Sequence, residues 1–421
     1  MDERTKTFAI NTLAETPKRV EESLAKIKLE RFFVKELEAS IKKSGQRIFL
    51  IAGLRGTGKT TALYKVFSRN ERENTVYFSC DELLSREIGL EELISAIDII
   101  KKENVGLGKK FTLLLDEITY LENWDLKLKV ISDKRPNLII IATSSSSLPL
   151  KKTKELARRA FEIQVLPFSF REYLALKYSI IIPDTLAKSI RKKLGNESLE
   201  GEYIQVRTLL GNHNLFGIYE EYLRQDLPSS LILSEQAYHE AVIRIVKRTV
   251  YEDFSKYEKF ESKLLVAAEI LVKYLSTVPA DGVKISTLAE VAGISKESVV
   301  KILDALEMAM IVRGIEHEGR NRMFKKPKKW FFYSPSMRYV LASPVSSSSD
   351  ITGNLREDSV FRHLIAASDQ LFYSHEADFI ASGMKIEVGK SKKPRKGVIR
   401  FSMEEGITID NVPVPLFALS I

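Results

Sequence analysis

The chain contains 421 residues, of which 44% are hydrophobic and 29% are charged. This composition is typical of a folded protein and excludes a mainly disordered chain, and the length predicts about two to four domains. The formal net charge is +9 and the isoelectric point lies near 9.2. An excess of positive charge favours an anionic partner, which is a nucleotide, a nucleic acid or a membrane surface.

Three further features of the sequence indicate the cellular compartment of the protein. The single cysteine, Cys80, excludes an intrachain disulfide and favours a reducing environment. The first residues, Met1–Lys18, are polar and charged, which does not fit a signal peptide. No apolar run is long enough to cross a bilayer. The sequence therefore predicts a soluble, cytoplasmic protein without a membrane partner.

The first part of the chain alternates helical and strand patterns. Apolar residues at helical spacing over Val20–Lys43 predict a helix that Gly45 ends. The apolar run Arg47–Ala52 predicts a strand buried on both faces, and a glycine-rich turn and a helix over Lys59–Phe67 follow it. Further buried strands are predicted at Thr75–Cys80, Phe111–Leu115, Leu138–Thr143 and Phe161–Val165. Because helical stretches separate these strands, we expect a parallel α/β sheet.

The rest of the chain divides into three regions. The pattern is mainly helical from Tyr173 to about Lys259, and Val283–Ala309 predicts two short helices joined by a turn. A short strand over Ile311–Ile315 follows, and the serine-rich segment Ser343–Ser349 indicates a linker. In the tail, a helix and three strands are predicted at Asn354–Ser368, Gln370–Tyr373, Ala377–Ile380 and Met384–Val388.

The turn after the first strand carries a phosphate-binding pattern. The run from Gly53 to Thr60 fits G-x-x-x-x-G-K-[ST] in every position. Glycines let the main-chain N–H groups surround phosphates, the helix that follows adds positive potential, and Lys59 can reach the β- and γ-phosphates. The predicted ATP-binding residues are Gly53, Leu54, Arg55, Gly56, Thr57, Gly58, Lys59, Thr60 and Thr61.

Two carboxylates end a predicted strand, at Asp116 and Glu117. We expect this strand to lie beside the strand that precedes the phosphate loop. Asp116 and the hydroxyl of Thr60 are then suited to hold Mg²⁺, and Glu117 is suited to orient and polarise the attacking water. The sequence therefore predicts Mg²⁺ and ATP as cofactors, with Lys59 and Glu117 as catalytic residues.

Two weaker patterns complete the predicted site. A polar residue at the end of the fourth strand, Thr143 or Ser144, can contact the γ-phosphate or the water, although a serine-rich turn explains the same residues. Phosphoryl transfer also gains from a second positive group. The candidates are Arg159, Arg158 and Arg55, acting within one chain or from a neighbouring subunit of a homo-oligomer.

Together these residues resemble prokaryotic AAA+-type ATPases that carry a nuclease-like C-terminal domain of unknown function. The resemblance begins at the helix Arg31–Lys43 and includes Val76–Asp81, the nucleotide motifs and Leu156–Arg159. It also includes the segment Leu166–Tyr173, which is similar to the family's "PLSF-x-E-[FY]" motif. In the tail it includes Gly353–Glu357 and the residues around Asp378. The resemblance implies a P-loop NTPase sheet, a winged-helix region and a small α/β fold of the PD-(D/E)xK type.

With this resemblance, four domains are expected. They are an AAA+-like P-loop ATPase domain over residues 1–173, a helical lid or linker over 174–259, a winged helix over 260–343 and a PD-(D/E)xK-like domain over 350–421. The chain departs from the family in two places. Arg158 replaces the usual glycine of "L-A-G-R", and the lysine expected two positions after Glu387 comes one position late, at Lys390.

The region over 260–343 leaves two partner classes open. Its two short helices fit a helix-turn-helix in which Ser295 caps the second helix. A basic turn with adjacent aromatic residues follows, formed by Arg320, Arg322, Lys325, Lys326, Lys328, Lys329, Trp330 and Phe331. This cluster can contact the phosphates of double-stranded DNA, or it can be the solvated rim of a module that binds a protein.

The tail contains a candidate metal site. Glu357, Asp378, Glu387 and Lys390 are the residue types of a metal-dependent phosphodiester hydrolase. Because side chains alternate along a strand, the late lysine points to the other face unless Gly389 forms a bulge. We therefore expect an inactive module that keeps the nuclease-like fold.

The main functional hypothesis is an Mg²⁺-dependent ATPase that couples ATP turnover to a rearrangement of DNA or of a protein partner. Two alternatives stay open. One is a nucleotide-gated switch with little turnover, and the other is a metal-dependent DNA nuclease that acts through the tail.

Overall fold

The computed structural model describes residues 3–25, 27, 30–145, 156, 158–254, 260–280, 283–319, 327–343, 348–368, 370–389 and 397–421. The contacts within the chain divide it into two compact units, Met1–Val165 and Leu166–Ile421. No described helix is both long and apolar enough to cross a membrane.

The first unit is built on a sheet of five parallel strands. Its strands are β1 (Ile48–Gly53), β2 (Thr75–Ser79), β3 (Phe111–Asp116), β4 (Leu138–Ser144) and β5 (Ala160–Val165), in the order β2-β3-β4-β1-β5. Every residue of β1 is buried, as the apolar run predicts for a central strand covered on both faces. The predicted parallel α/β sheet is therefore confirmed, with each strand within one or two residues of its predicted position.

One expectation about this sheet is wrong. Strand β3 does not lie beside β1, because β4 pairs with both, matching Ile140 to Ile48 on one side and Leu138 to Phe111 on the other. Parallel strands are joined by crossover helices that can skip a position, so the order along the chain does not fix the order in the sheet. Asp116 and Glu117, at the end of β3, are therefore two strands away from β1.

Helices cover both faces of the first sheet. They are α1 (Glu3–Ala25), α2 (Phe32–Lys43), α3 (Lys59–Arg69), α4 (Cys80–Ser85), α5 (Leu90–Lys101) and α6 (Trp124–Lys134). The single helix predicted over residues 20–43 is wrong, since α1 ends at Ala25 and α2 begins at Phe32. Helix α1 adds Phe8 to the core around β2, while α2 adds Leu37 to the core around β1.

The second unit begins with helices and ends with a mixed sheet. Its helices are α7 (Phe170–Tyr178), α8 (Asp184–Lys193), α9 (Glu200–Leu210), α10 (Leu215–Tyr222), α11 (Glu235–Arg248), α12 (Ser262–Thr277), α13 (Ile285–Ala292), α14 (Lys296–Met308), α15 (Pro335–Ala342), α16 (Ser348–Ala367) and α17 (Val414–Ala418). The predicted cap on α14 is present, because Ser295 Oγ accepts a hydrogen bond from the N–H of Ser298 at 3.1 Å.

The seven strands of the second sheet come from two of the predicted regions. They are β6 (Val312–His317), β7 (Lys329–Phe332), β8 (Leu371–Tyr373), β9 (Phe379–Ala381), β10 (Met384–Val388), β11 (Val398–Ser402) and β12 (Asn411–Pro413). Their order is β12-β11-β10-β9-β8-β6-β7, and β6 pairs with antiparallel β7 and with parallel β8. The hairpin β6–β7 and the tail strands therefore form one continuous sheet.

The segment that begins the second unit is anchored deep in its core. Phe168, Phe170 and Tyr173 are fully buried, and the N–H of Phe168 donates to the carbonyl of Asp226 at 2.8 Å. The guanidinium of Arg362 donates to the carbonyl of Pro167 at 2.6 Å. Residues 166–173 thus pack with the second unit, whereas the sequence places the end of the first domain near residue 173.

A fully buried ion pair joins two other helices of this unit. Arg338 on α15 donates to Asp358 on α16 with an N–O distance of 2.5 Å, and neither side chain is more than 1% exposed. Arg338 Nη1 also donates to the carbonyls of Leu275 and Val278, each at 2.9 Å. Burial raises the pKa of Asp358, and the adjacent guanidinium opposes that shift. This pair connects residues on both sides of the predicted linker.

Candidate nucleotide site

The predicted phosphate loop connects β1 to the first turn of α3. Gly58 occupies the N-cap position of α3 with φ of +93°, a left-handed conformation that an L side chain rarely adopts. The loop is fixed from two directions, since Thr57 Oγ1 donates to the carbonyl of Leu54 at 2.8 Å and Arg31 donates to the carbonyl of Thr57 at 2.7 Å. The N-terminus of α3 therefore opens onto a rigid turn, as an anion site requires.

Lys59 lies inside this turn and is only 5% exposed. Its ammonium donates to the carbonyls of Gly53 and Leu54 at 2.8 and 2.9 Å. These contacts curl the side chain back over the loop. In this structure the ammonium is therefore held by carbonyl groups of the loop itself. Of the other predicted loop residues, Arg55 and Thr61 are half-buried and Gly56 is exposed.

Gly53 makes the closest backbone approach in the loop. A Cβ added there would lie 2.3 Å from the carbonyl oxygen of Val165 on β5, which is backbone and cannot rotate away. We expect Gly53→Ala to lower the free energy of unfolding of the first unit by about 1–3 kcal/mol and to weaken nucleotide binding, because β1 and β5 must move apart. Denaturation followed by the fluorescence of Trp124 in a Trp330→Phe background measures the change.

The matched control for this prediction is Gly108→Ala in the same unit. A Cβ at Gly108 would meet nothing within 4 Å, and this glycine has no positive φ. Gly108→Ala should therefore leave the unfolding midpoint nearly unchanged. If Gly53→Ala unfolds at the same denaturant concentration as Gly108→Ala, the close approach to Val165 does not constrain the loop.

Asp116, at the end of β3, accepts hydrogen bonds from three hydroxyl groups. Its Oδ2 accepts from Thr60 Oγ1 at 2.8 Å and from the hydroxyl of Tyr77 at 3.1 Å, while its Oδ1 accepts from Thr143 Oγ1 at 2.5 Å. Burial raises the pKa of this carboxyl, and the hydrogen bonds from Thr143 and Thr60 act against the rise. The structure therefore brings together three predicted site residues, although β4 lies between β1 and β3.

Glu117 follows Asp116 with a left-handed backbone, at φ of +55°. Its N–H donates to Thr143 Oγ1 at 2.9 Å. Its carboxylate accepts from the N–H of Ser145 at 3.1 Å and from the Ser145 hydroxyl. Thr143 thus contacts the backbone of Glu117, whereas Ser145 holds its side chain. The sequence predicts Thr143 and Ser144 as the polar residues of this strand end but does not single out Ser145.

Comparison with known proteins identifies the fold of this site. Residues 45–174 match the family model described as "AAA domain". This segment of the chain is an AAA domain of the P-loop ATPase type. The match covers the phosphate loop, the acidic residues at the end of β3 and the strand end at Thr143. The nuclease-like fold expected for the tail lies outside the matched residues.

Two proteins of Methanocaldococcus jannaschii are similar to the chain that carries this AAA domain. The uncharacterized protein MJ1637 is 29% identical over 94% of this chain and 87% of its own length. The uncharacterized protein MJ1544 is 26% identical over 44% of this chain and 42% of its own length. The similarity to MJ1637 therefore extends well beyond the AAA domain into the second unit.

Solved structures resemble the chain only distantly. A DNA polymerase III gamma subunit-related protein of Thermotoga maritima is 14% identical, with a TM-score of 0.29, and covers 66% of this chain and 99% of its own. AMPPCP-bound DnaA of Aquifex aeolicus is 18% identical, with a TM-score of 0.23, and covers 65% of this chain and 86% of its own. These scores are too low to support a statement about function.

The predicted residues Arg159 and Arg158 differ in their surroundings. Arg159, the predicted positive group for the transition state, donates from Nη1 to both carboxylate oxygens of Asp133 at 2.7 Å. Arg158 is exposed. The guanidinium of Arg159 is thus held by a surface ion pair in this structure, and its role at the nucleotide stays a prediction.

The candidate nuclease residues of the tail are not gathered into a metal site. Among the described residues, no group of three or more His, Cys, Asp or Glu side chains is placed to hold a metal ion. Glu357 and Glu387 are half-buried, and Lys390 lies outside the described residues. Asp378 accepts from the ammonium of Lys329 at 3.3 Å and from the N–H of Val388 at 2.9 Å.

Proposed function

We propose that this protein binds and hydrolyses ATP with Mg²⁺ at its AAA domain and uses the turnover to rearrange a macromolecular partner. The observation that carries the proposal is the convergence of Lys59, Thr60, Asp116 and Glu117 at one end of the first sheet. The hydroxyl of Thr60 lies 2.8 Å from the carboxylate of Asp116, although 56 residues separate them in the chain. The two oxygens are therefore close enough together to serve one magnesium ion.

The residues present fit magnesium. Mg²⁺ prefers oxygen ligands and keeps several waters, so one hydroxyl and one carboxylate beside the phosphates are a suitable protein contribution. Thr60 and Asp116 would supply these ligands, directly or through water. When bound, the ion neutralises charge on the β- and γ-phosphate oxygens.

The other groups of the site then have distinct roles. The N–H groups of the loop and the N-terminus of α3 hold the triphosphate. Lys59 moves from the loop carbonyls to the terminal phosphates, where its charge stabilises the transferred group. Glu117 orients the attacking water and polarises it, and Thr143 fixes the backbone of Glu117 in its left-handed conformation.

Lys59→Ala tests the binding step. We expect at least a tenfold loss of affinity for a fluorescent ATP analogue in equilibrium titration, since the charge-assisted contacts to the phosphates disappear. Lys65→Ala, a half-buried lysine on the same helix, is the matched control and should bind like the parent. Parent protein that shows no affinity for adenine or guanine nucleotides at millimolar concentration would refute the proposal.

The partner class follows from the charges on α14. This helix occupies the second position of the predicted helix-turn-helix, and Lys296, Glu297, Val300 and Asp304 are exposed on it. Two of these residues are anions, one is a cation and Lys301 is half-buried, so the charges of this face give little net attraction to DNA phosphates. The face therefore favours a protein partner. Contact with DNA would depend on the basic turn, whose residues 320–326 lie outside the described residues.

The alternative of a nuclease in the tail is not favoured by these contacts. Asp378 would have to offer its carboxylate to a metal ion, but the ammonium of Lys329 lies 3.3 Å from one of its oxygens. A cation at this carboxylate removes the charge that would attract a second one. We infer that the tail is a structural module built on a nuclease-like sheet.

A further inference from the structure

Tyr77 belongs to the nucleotide site, although the phosphate-binding motifs do not include it. It lies on β2, where the register pairs Ser79 with Asp116 of β3. Side chains two positions apart share a face of a sheet, so Tyr77 projects on the same side as Asp116. The phenol is 2% exposed, and its hydroxyl donates to Asp116 Oδ2 at 3.1 Å.

This hydroxyl has a different relation to the magnesium site from the other two donors. Thr60 Oγ1 shares Asp116 Oδ2 with it, but Thr60 is itself a predicted magnesium ligand. Thr143 binds the other oxygen and also accepts from the N–H of Glu117. Tyr77 thus donates to the oxygen of Asp116 that faces Thr60 without being a candidate ligand.

Two neighbouring side chains contact the ring of Tyr77. The guanidinium of Arg19 on α1 lies 5.1 Å from its centroid, and the ring of Tyr64 on α3 lies 5.2 Å away at an interplanar angle of 58°. Arg19 is positioned by an ion pair with Glu82 at 3.4 Å. Since two helices fix the ring, the hydroxyl has little freedom to leave Asp116.

We propose that Tyr77 is a positioning residue for the magnesium–nucleotide site. Its hydroxyl holds the Asp116 carboxylate in the orientation in which Asp116 and Thr60 share one cation. The inference rests on the proposed function and assigns a role to a residue of β2 that touches neither the phosphates nor the ion. It predicts an effect on the response to magnesium and none on magnesium-free nucleotide binding.

The test is Tyr77→Phe, which keeps the ring and removes only the hydroxyl. A fluorescent ATP analogue is titrated against each protein in EDTA and then at fixed probe over a range of free Mg²⁺. We expect unchanged affinity in EDTA and a rise of about tenfold in the Mg²⁺ concentration at the midpoint, the effect of losing one hydrogen bond to a charged group. Tyr274→Phe, in the second unit, should leave both quantities unchanged.

Two results would overturn the inference. One is a Mg²⁺ midpoint equal to that of the parent in a Tyr77→Phe protein with the parent's melting temperature. The other is an equal loss of affinity with and without Mg²⁺, which would assign Tyr77 a packing role only. Failure of the parent to bind the analogue at all would instead refute the proposed function, so the two failures are distinguishable.

Discussion

Glu117→Gln should bind ATP as tightly as the parent protein while turning it over about 10²–10⁴ times more slowly. The amide keeps an oxygen that can accept from the N–H of Ser145, so the local structure should persist. It cannot polarise a water molecule as a carboxylate does, so the chemical step loses its general base. Phosphate release under saturating ATP measures the turnover, and equilibrium titration measures the binding.

Glu122→Gln is the control for this prediction. Glu122 is an exposed carboxylate five positions further along the same connection, and its loss should not change turnover. Equal turnover in Glu117→Gln and the parent would exclude Glu117 as the base. Low turnover in the parent itself, at full ATP occupancy, would instead favour a nucleotide-gated switch.

Asp358→Ala should lower the free energy of unfolding of the second unit by about 3–5 kcal/mol. The substitution leaves the guanidinium of Arg338 buried without its counter-ion and leaves the N–H of Phe332 without its acceptor, which is Asp358 Oδ1 at 2.9 Å. The measurement is chemical denaturation followed by Trp330 fluorescence in a Trp124→Phe background, because Trp330 lies in the second unit.

A double variant separates the buried charge from the loss of packing. Arg338→Met combined with Asp358→Leu removes both charges and keeps much of the volume, so it should destabilise the unit less than Asp358→Ala alone. If the double variant is the less stable of the two, the ion pair contributes net stability and the uncompensated charge is not the main cost.

The sequence predicts the first unit better than the second because its strands are long, apolar and bounded by clear turns. Strands β7, β11 and β12 are missed, and they contain only four, five and three residues. Strand β7 begins at Lys329, directly after the basic turn. Such a charged stretch is typical of a loop and does not predict a strand. The order of the parallel strands is also not predictable from the pattern, since each crossover permits more than one neighbour.

The residues of the candidate site were predictable where they are contiguous in sequence and not where their contacts are distant in sequence. The phosphate loop is contiguous, so its spacing alone reveals it. Arg31, Tyr77 and Ser145 are missed because the residues they contact lie 26, 39 and 28 positions away. A phenol within the apolar run of β2 is the one local signal that could have drawn attention to Tyr77, because a buried hydroxyl needs a partner.

The pairing of β6 with β8 bears on how shortened forms of this protein should behave. A chain that stops before α16 would lose Asp358, the counter-ion of buried Arg338, and would leave Glu316 and His317 of β6 without their partners Phe372 and Tyr373. An exposed strand edge of this kind can pair with strands of other molecules. Forms of the chain shortened at the serine-rich segment are therefore expected to self-associate, so oligomers seen with them would not report on the assembly of the intact protein.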